Sequence, residues 1–294
     1  MAEIDALRVQ EYSTNLELLS QQKMAKVANL ALSQTAAGSK AFRMLSQIDE
    51  TEARERTTRA QPAVNIDVEH TGRWVYPTMY DWGRVVDDID LLQTNIAPQG
   101  AYVQSAVAAM NRKQDDMFYS AFFGTANTGE TGGSTTSFLS GNQIAVTTGV
   151  GSATGLNVEK LRAAKKGLLE ADVDLDMESI YIAVAPKQHD DLLALTQVVS
   201  TDFNDRPVLV DGKVQRFLGI NFVISNRIPV DGNSYRRLPV WVPSGMGRGS
   251  WKEISGNIRN RPDLQGNPAY VEASMMLGFT RLEEAKCWEI KCAE

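Results

Sequence analysis

The chain has 294 residues, 43% of them hydrophobic and 22% charged, which is enough apolar material for a large core and rules out a disordered polyelectrolyte. Its formal net charge of -6 gives a field that repels phosphates, so tight nucleic-acid binding by the chain alone is excluded. The length suggests two lobes or one elaborated domain.

The N-terminus, Met1-Ala-Glu-Ile-Asp5, is acidic and lacks the positive segment and apolar run of a signal peptide. No stretch of about 18 apolar residues is present to span a bilayer, and the expectation is a soluble protein made in the cytosol, with no membrane partner. Over residues 3–32 the apolar positions Ile4, Leu7, Leu16, Leu19, Met24, Val27 and Leu30 follow a roughly helical period, which predicts an amphipathic arm or a packed helix. The Ser/Ala/Gly stretch 33–40 then reads as a hinge.

From 42 to 90 the character turns to strand. Ala63-Val-Asn-Ile-Asp-Val-Glu69 alternates strictly, His70-Thr-Gly72 signals a turn, and Arg73-Trp-Val-Tyr-Pro77 follows, so a hairpin-like extension is expected. Arg54, Arg56, Arg59 and Arg73 lie along it among Glu52, Glu55, Asp67 and Glu69. This is either a solvated charged surface or a docking loop that pairs with another subunit. Asp87, Asp88 and Asp90 concentrate acid just beyond, without the loop spacing of an EF-hand calcium site.

Pro98 suits the first turn of a helix, and Val103, Ala106, Val107, Met110, Met117, Ala121 and Phe122 mark one face up to Phe123. The span 98–123 would measure about 37 Å and cross a whole domain. Residues 124–155 are rich in Gly, Thr and Ser and read as a flexible crossing with one strand at 142–148. An α/β pattern follows: a helix over 157–171 capped by Asn157, a strand over 179–185, and a helix over 186–195. Further strands are expected at 207–210, 214–218, 221–225, 239–242, 250–254, 270–274, 277–281 and 287–292.

Tests for chemistry are negative. Gly149-Val-Gly-Ser-Ala-Thr-Gly155 stands between a strand and a helix like a dinucleotide turn, yet Gly155 precedes the helix cap and the next strand ends Ala183-Val-Ala-Pro186 without a ribose-binding acid. A linker explains these glycines better. No Gly-Lys-Ser/Thr phosphate loop and no Gly-x-Ser-x-Gly elbow occur. Asp190 with Asp191, and Glu283 with Glu284, are adjacent and point apart, so neither pair suits acid/base work. Cys287 and Cys292 are five apart on a strand and face opposite sides, and the two histidines, His70 and His189, lie in unrelated segments. No catalytic residue, metal or cofactor is expected.

The order of parts resembles the major capsid protein of tailed bacteriophages, a fold shared with encapsulin shells. The phrases that carry the likeness are Asp87-Asp-Ile-Asp90 leading into Gln99-Gly-Ala-Tyr-Val103, Met110-Asn-Arg-Lys-Gln-Asp-Asp116, Tyr181-Ile-Ala-Val-Ala-Pro-Lys-Gln188, Arg216-Phe-Leu-Gly-Ile-Asn-Phe222 and Leu277-Gly-Phe-Thr-Arg-Leu-Glu283. The resemblance implies an α+β fold with an N-terminal arm at 1–41 and an extended loop at 42–80. It further implies a peripheral domain at 81–150 with the spine helix 98–123, an axial domain at 151–249, and returning C-terminal strands at 250–294. It also implies self-assembly into hexamers and pentamers of an icosahedral head around double-stranded DNA, with portal, scaffolding and decoration proteins as further partners. Arg54, Arg56, Arg59 and Arg73 would then face acids of an adjacent subunit, near Asp87, Asp88 and Asp90. No lysine occurs between Lys40 and Lys113, so a lysine-based covalent weld from the extension is excluded. An encapsulin-like compartment, and from another class a nucleotide-dependent enzyme using Gly149 to Gly155, are the alternatives.

Overall fold

The structure is a computed structural model, and it describes residues 20–36, 38, 40–48, 53–60, 65, 68, 70–86, 99–195, 209–210 and 213–294. In chain order the elements are β1 (Leu32–Thr35), β2 (Phe42–Ile48), β3 (His70–Val75), β4 (Thr78–Val86), α1 (Gln99–Phe123), β5 (Ala126–Thr128), β6 (Ser134–Thr136) and β7 (Gln143–Ile144). There follow α2 (Val158–Glu170), β8 (Ile180–Val184), α3 (Pro186–Leu193), β9 (Leu209–Val210), β10 (Lys213–Val214), β11 (Arg216–Phe217), β12 (Ile220–Ile224) and β13 (Arg236–Trp241). Three long elements close the chain: β14 (Met246–Asn260), β15 (Ala269–Arg281) and β16 (Cys287–Cys292).

The strands form sheets ordered β1-β14-β15-β4, β2-β3-β5-β6 and β11-β12-β8-β13-β16-β7, with β9 and β10 as a separate pair. The six-stranded sheet is mixed. β8 runs parallel to β12, with Ile180 opposite Ile220, and antiparallel to β13, with Ile182 opposite Val240. β16 pairs antiparallel with β13 along its whole length.

Two compact units can be drawn. One takes residues 1–24, 79–113 and 252–276, the other 25–78, 114–251 and 277–294. In the first, Val271, Ala273 and Met275 of β15 are buried at alternate positions, as a half-covered strand requires, and Ala106 and Met110 of α1 are buried four residues apart. Gly256 of β14 belongs to the same unit, and a Cβ there would lie 3.4 Å from Val103.

The second unit holds the main apolar cluster. Phe118 and Phe122 of α1, Leu161, Ala164 and Leu168 of α2, Ile182 and Val184 of β8 and Trp241 of β13 all lie in it. Burying each of the larger side chains is worth about 1.5–3 kcal/mol, so this cluster sets the stability of the α/β lobe. Gly167 is where α2 meets the sheet. A Cβ there would come 2.2 Å from the ring of Trp288, so only glycine lets helix and strand approach this closely.

Several expectations hold and others need correction. The Asn157 cap is real: its side chain accepts from the Lys160 N–H, and the helix ends at Glu170. α1 spans Gln99–Phe123; Pro98 lies outside the described residues. The amphipathic helix over 3–32 is not formed in its described part, where a 3-10 turn at Ala28–Leu30 leads into β1. Parallel pairing of β1 with residues Gly247–Ser250 of β14 competes with helix there and replaces the expected hinge. The partner of 70–75 is β2, with Phe42 opposite Val75 and Ile48 opposite His70. Most of 63–69 lies outside the described residues, and Asn65 and Val68 are not in a strand. The strand expected at 142–148 shrinks to β7, and those at 270–274 and 277–281 are one strand, β15.

Candidate interaction surfaces

The Gly149–Gly155 turn is exposed over residues 149–153 and is fastened at its end, where Thr154 and Gly155 are half-buried. Gly149 and Gly151 take positive φ of 96° and 79°, folding the turn back on the start of α2. One N–H of the first helical turn and the N–H just before the cap are already occupied. Asn157 Oδ1 accepts from Lys160 N at 2.8 Å, and Asp191 Oδ2 accepts from Leu156 N at 3.2 Å. The Asp191 carboxylate thus lies against Gly155 at the approach to the helix, and its charge opposes a phosphate there.

The last two carbonyls of the turn point inward. Lys160, fully buried, donates from Nζ to Thr154 O (2.8 Å), Gly155 O (2.9 Å) and Lys291 O (3.0 Å), tying the loop to β16. Burial lowers the Lys160 pKa and pushes the adjacent Cys292 thiol up to about 12. Both cysteines are buried and free. Among the described residues, no group of three or more His, Cys, Asp or Glu is placed to hold a metal ion.

Charge has a structural use at three other places. Arg281, at the end of β15, is fully buried and gathers the C-terminus of α1. Its Nη1 donates to the carbonyls of Ala121 (3.1 Å), Phe122 (2.6 Å) and Gly124 (2.5 Å), its Nη2 to Thr136 O (3.2 Å), and its Nε to Glu284 Oε2 (2.9 Å). A cation at a helix C-terminus meets both the orphan carbonyls and the negative end of the dipole.

Asp115, also buried, accepts from the backbone N–H groups of Lys26, Val27 and Ala28 at 3.0–3.2 Å. It thereby anchors the segment Lys26–Ala28 to α1. The third place is the pair of Arg227 with Asp116, at 2.6 and 2.5 Å, which raises the Arg227 pKa.

The expected contact arginines divide. Arg54, Arg56 and Arg59 are exposed, and Arg56 donates to the nearby Thr58 O at 3.2 Å. Arg73 is buried, donates from Nε to Leu282 O at 3.0 Å and stands 3.7 Å from Glu284. Burial lowers its pKa, with Glu284 opposing the shift. It belongs to the root of the extension and not to an outer surface. Asp87, Asp88 and Asp90 lie outside the described residues.

Arg281, Asp115 and Lys160 were not singled out by the sequence reading as positioning residues. The partners of Asp115 lie 87–89 residues away, and Lys160 and Arg281 each reach at least one carbonyl 131 and 160 residues away, respectively, so local spacing does not report them. The available signal was a single charge inside an otherwise apolar phase, as in Leu277-Gly-Phe-Thr-Arg281.

These surfaces consist of braces and exposed charges. A protein-family model described as phage capsid protein matches residues 4–294. No curated protein sequence matches the chain. The structure is similar to the capsid of cyanophage P-SCSP1u, with a TM-score of 0.69 and 15% identity over 99% of this chain and 94% of that one. It is also similar to the capsid protein of cyanophage Pam1 (TM-score 0.71, 11% identity, 98% and 97% covered). The capsid of a native GTA particle gives a TM-score of 0.66 at 13% identity, with 100% and 98% covered.

Proposed function

The chain belongs to the phage capsid protein family, and from that premise we propose that it is the subunit of an icosahedral phage head, assembling into hexamers and pentamers around double-stranded DNA. As a capsid protein it is a structural protein and not an enzyme, and its α+β fold is that of phage capsid subunits. The observation that carries the proposal is the match over nearly the whole chain, arm and extension included. The physical layout supports it: buried charges serve as internal braces, while Arg54, Arg56 and Arg59 are exposed and open to shallow contacts.

In this reading Arg54, Arg56 and Arg59 dock on acids of an adjacent copy, with Asp87, Asp88 and Asp90 as their partners. The acidic balance of the chain suits enclosure of DNA without binding it tightly. Portal, scaffolding and decoration proteins would be further partners. An encapsulin-like compartment is distinguished by its content, enzyme cargo in place of DNA.

Electron microscopy of the purified full chain tests the proposal directly. Closed shells, or rings of five and six, are the expected result. A chain that remains monomeric at high concentration, alone and with its co-expressed partners, would overturn it.

A further inference from the structure

The α/β lobe carries an apolar groove and an exposed apolar side chain that do not meet within one chain. The groove, about 440 Å³, is lined by Arg162, Lys165, Lys166, Leu169, Glu170 and Leu218. Leu169 is 53% exposed, although it follows directly on the buried Leu168. Leu218 forms the opposite wall from the tight turn between β11 and β12. It takes a φ of 53° and Gly219 one of 83°, a turn whose first position favours Asn, Asp or Gly. A leucine there bears a conformational cost and sets an apolar side chain at the groove's edge. Lys165 Nζ holds the turn by donating to Leu218 O at 3.0 Å.

The complementary feature is the loop that follows α2. Met177 is 83% exposed, and the loop around it alternates acids with apolar residues: Asp172-Val-Asp-Leu-Asp-Met-Glu178. No lysine or arginine occurs between Lys166 and Lys187. The loop is shaped by Asp174, whose Oδ1 accepts from the N–H of Asp176 and Met177 at 3.1 and 3.3 Å. Methionine on a rigid turn is a soft, adaptable plug for an apolar cleft.

Two observations keep this loop out of its own groove. No residue of the loop lines it. The loop is also fastened on the other side of β8, since Ser244 Oγ, just past β13, donates to Glu178 Oε2 at 2.6 Å. The sheet order β11-β12-β8-β13 places the Leu218 turn on one flank of β8 and Ser244 on the other. A projection on one flank and its receptor on the opposite flank make a head-to-tail contact, the geometry that closes rings by rotation.

Resting on the reading that copies of this chain associate, we propose that Met177 of one copy seats between Leu169 and Leu218 of the next. The basic rim of α2 then faces the loop's acids. Among the described residues, Arg162 pairs with Glu159 and Lys166 with Glu170 on the same exposed helix face. Such pairs contribute little, so exchanging them for intermolecular partners costs little.

Cross-linking between single-cysteine variants of the full chain tests the contact. Both substituted positions, Leu169→Cys and Met177→Cys, are exposed, and the native thiols are buried, so the fold and the background are preserved. Mild oxidation of the mixture should give covalent dimers about tenfold above either variant alone, as one specific contact requires. Assemblies formed by the parent chain with no excess of cross-link in the mixture would overturn this contact and leave the shell reading standing. A parent chain that sediments only as a monomer would overturn both. Dimers from the Leu169→Cys variant alone would show a two-fold contact and also overturn it. A charge exchange gives a second check: Asp176→Lys, which leaves the loop-shaping Asp174 in place, should weaken assembly about tenfold, and adding Lys166→Glu should restore it.

Discussion

Arginine serves opposite ends in two regions of this molecule. Within the second unit, Arg73 and Arg281 are buried, share Glu284 and bind main-chain carbonyls. Along residues 53–60 the side chains of Arg54, Arg56 and Arg59 stand in solvent. A buried guanidinium must find all its partners inside the chain, so it specifies one fold. An exposed one leaves its charge free for another surface, at little cost to stability.

The largest effect is expected where burial is complete. Arg281→Met preserves much of the volume but removes the cation that gathers Ala121, Phe122, Gly124 and Thr136 carbonyls and neutralises Glu284. Breaking such a site typically costs about 3–5 kcal/mol. That is a large part of the stability of an ordinary domain, about 5–15 kcal/mol. Denaturant unfolding of the variant should show a much lowered midpoint or no folded baseline. A shift worth under about 1 kcal/mol would mean that the carbonyls find water instead and that the contrast with the exposed arginines is false.

Asp115→Ala is the next test, because it removes a buried acceptor shared by three N–H groups. Hydrogen bonds to a charged group are worth about 1.5–3 kcal/mol, and a net loss of about 2–3 kcal/mol is expected. Limited proteolysis gives the sharper readout. Cleavage should appear near 20–30 well before the α/β lobe is attacked, since the anchor holds that segment and not the core.

A smaller effect follows from the buried thiols. Burial raises Cys287 and Cys292 above their ordinary value of 9.0, the latter to about 12. Because the folded pKa exceeds the unfolded one, their contribution is fully present below pH 9 and is lost as pH rises towards 12. The slope approaches about 1.4 kcal/mol per pH unit for each thiol. Lys160 works against this, since burial lowers its pKa and its contribution grows as pH rises through the same range. Comparing Cys292→Ala with the parent between pH 8 and 10 isolates the thiol. The variant should lose less stability over that interval, and parallel curves would refute the assignment.

The elements most legible in the sequence were those with their own period and caps. α1, α2 with its Asn157 cap, β8 and β16 stand where local pattern places them. The order of these parts carried the family resemblance. What the sequence concealed depends on partners far along the chain. β1 is a strand because it lies beside β14, some 215 residues away, and β3 takes β2 as its neighbour although 63–69 alternates more strictly. The same separation hid Arg281 and Asp115, whose residue types suggest surface until their carbonyl and amide partners are known. Arg73 was grouped with the exposed arginines because spacing along an extension does not show where its root enters a core.

The smallest effect on stability should accompany the largest effect on association. Replacing Arg54, Arg56 and Arg59 together by glutamate removes, among the described residues, the Arg56 bond to the Thr58 carbonyl and should change unfolding stability by no more than about 0.5 kcal/mol per site. If the three guanidinium groups orient adjacent copies, shell formation should fall sharply at low salt. The loss relative to the parent should also shrink as salt rises, because the Debye length drops from about 10 Å at 0.1 M to about 3 Å at 1 M. Substitution by lysine separates charge from shape: it should restore the salt-sensitive part and not the bidentate recognition of carboxylate that only guanidinium provides. Assembly equal to the parent at every salt concentration would show that the exposed arginines are solvated and nothing more. The division between braced and free arginine would then describe stability alone, and the head-to-tail contact on α2 would have to orient the subunits unaided.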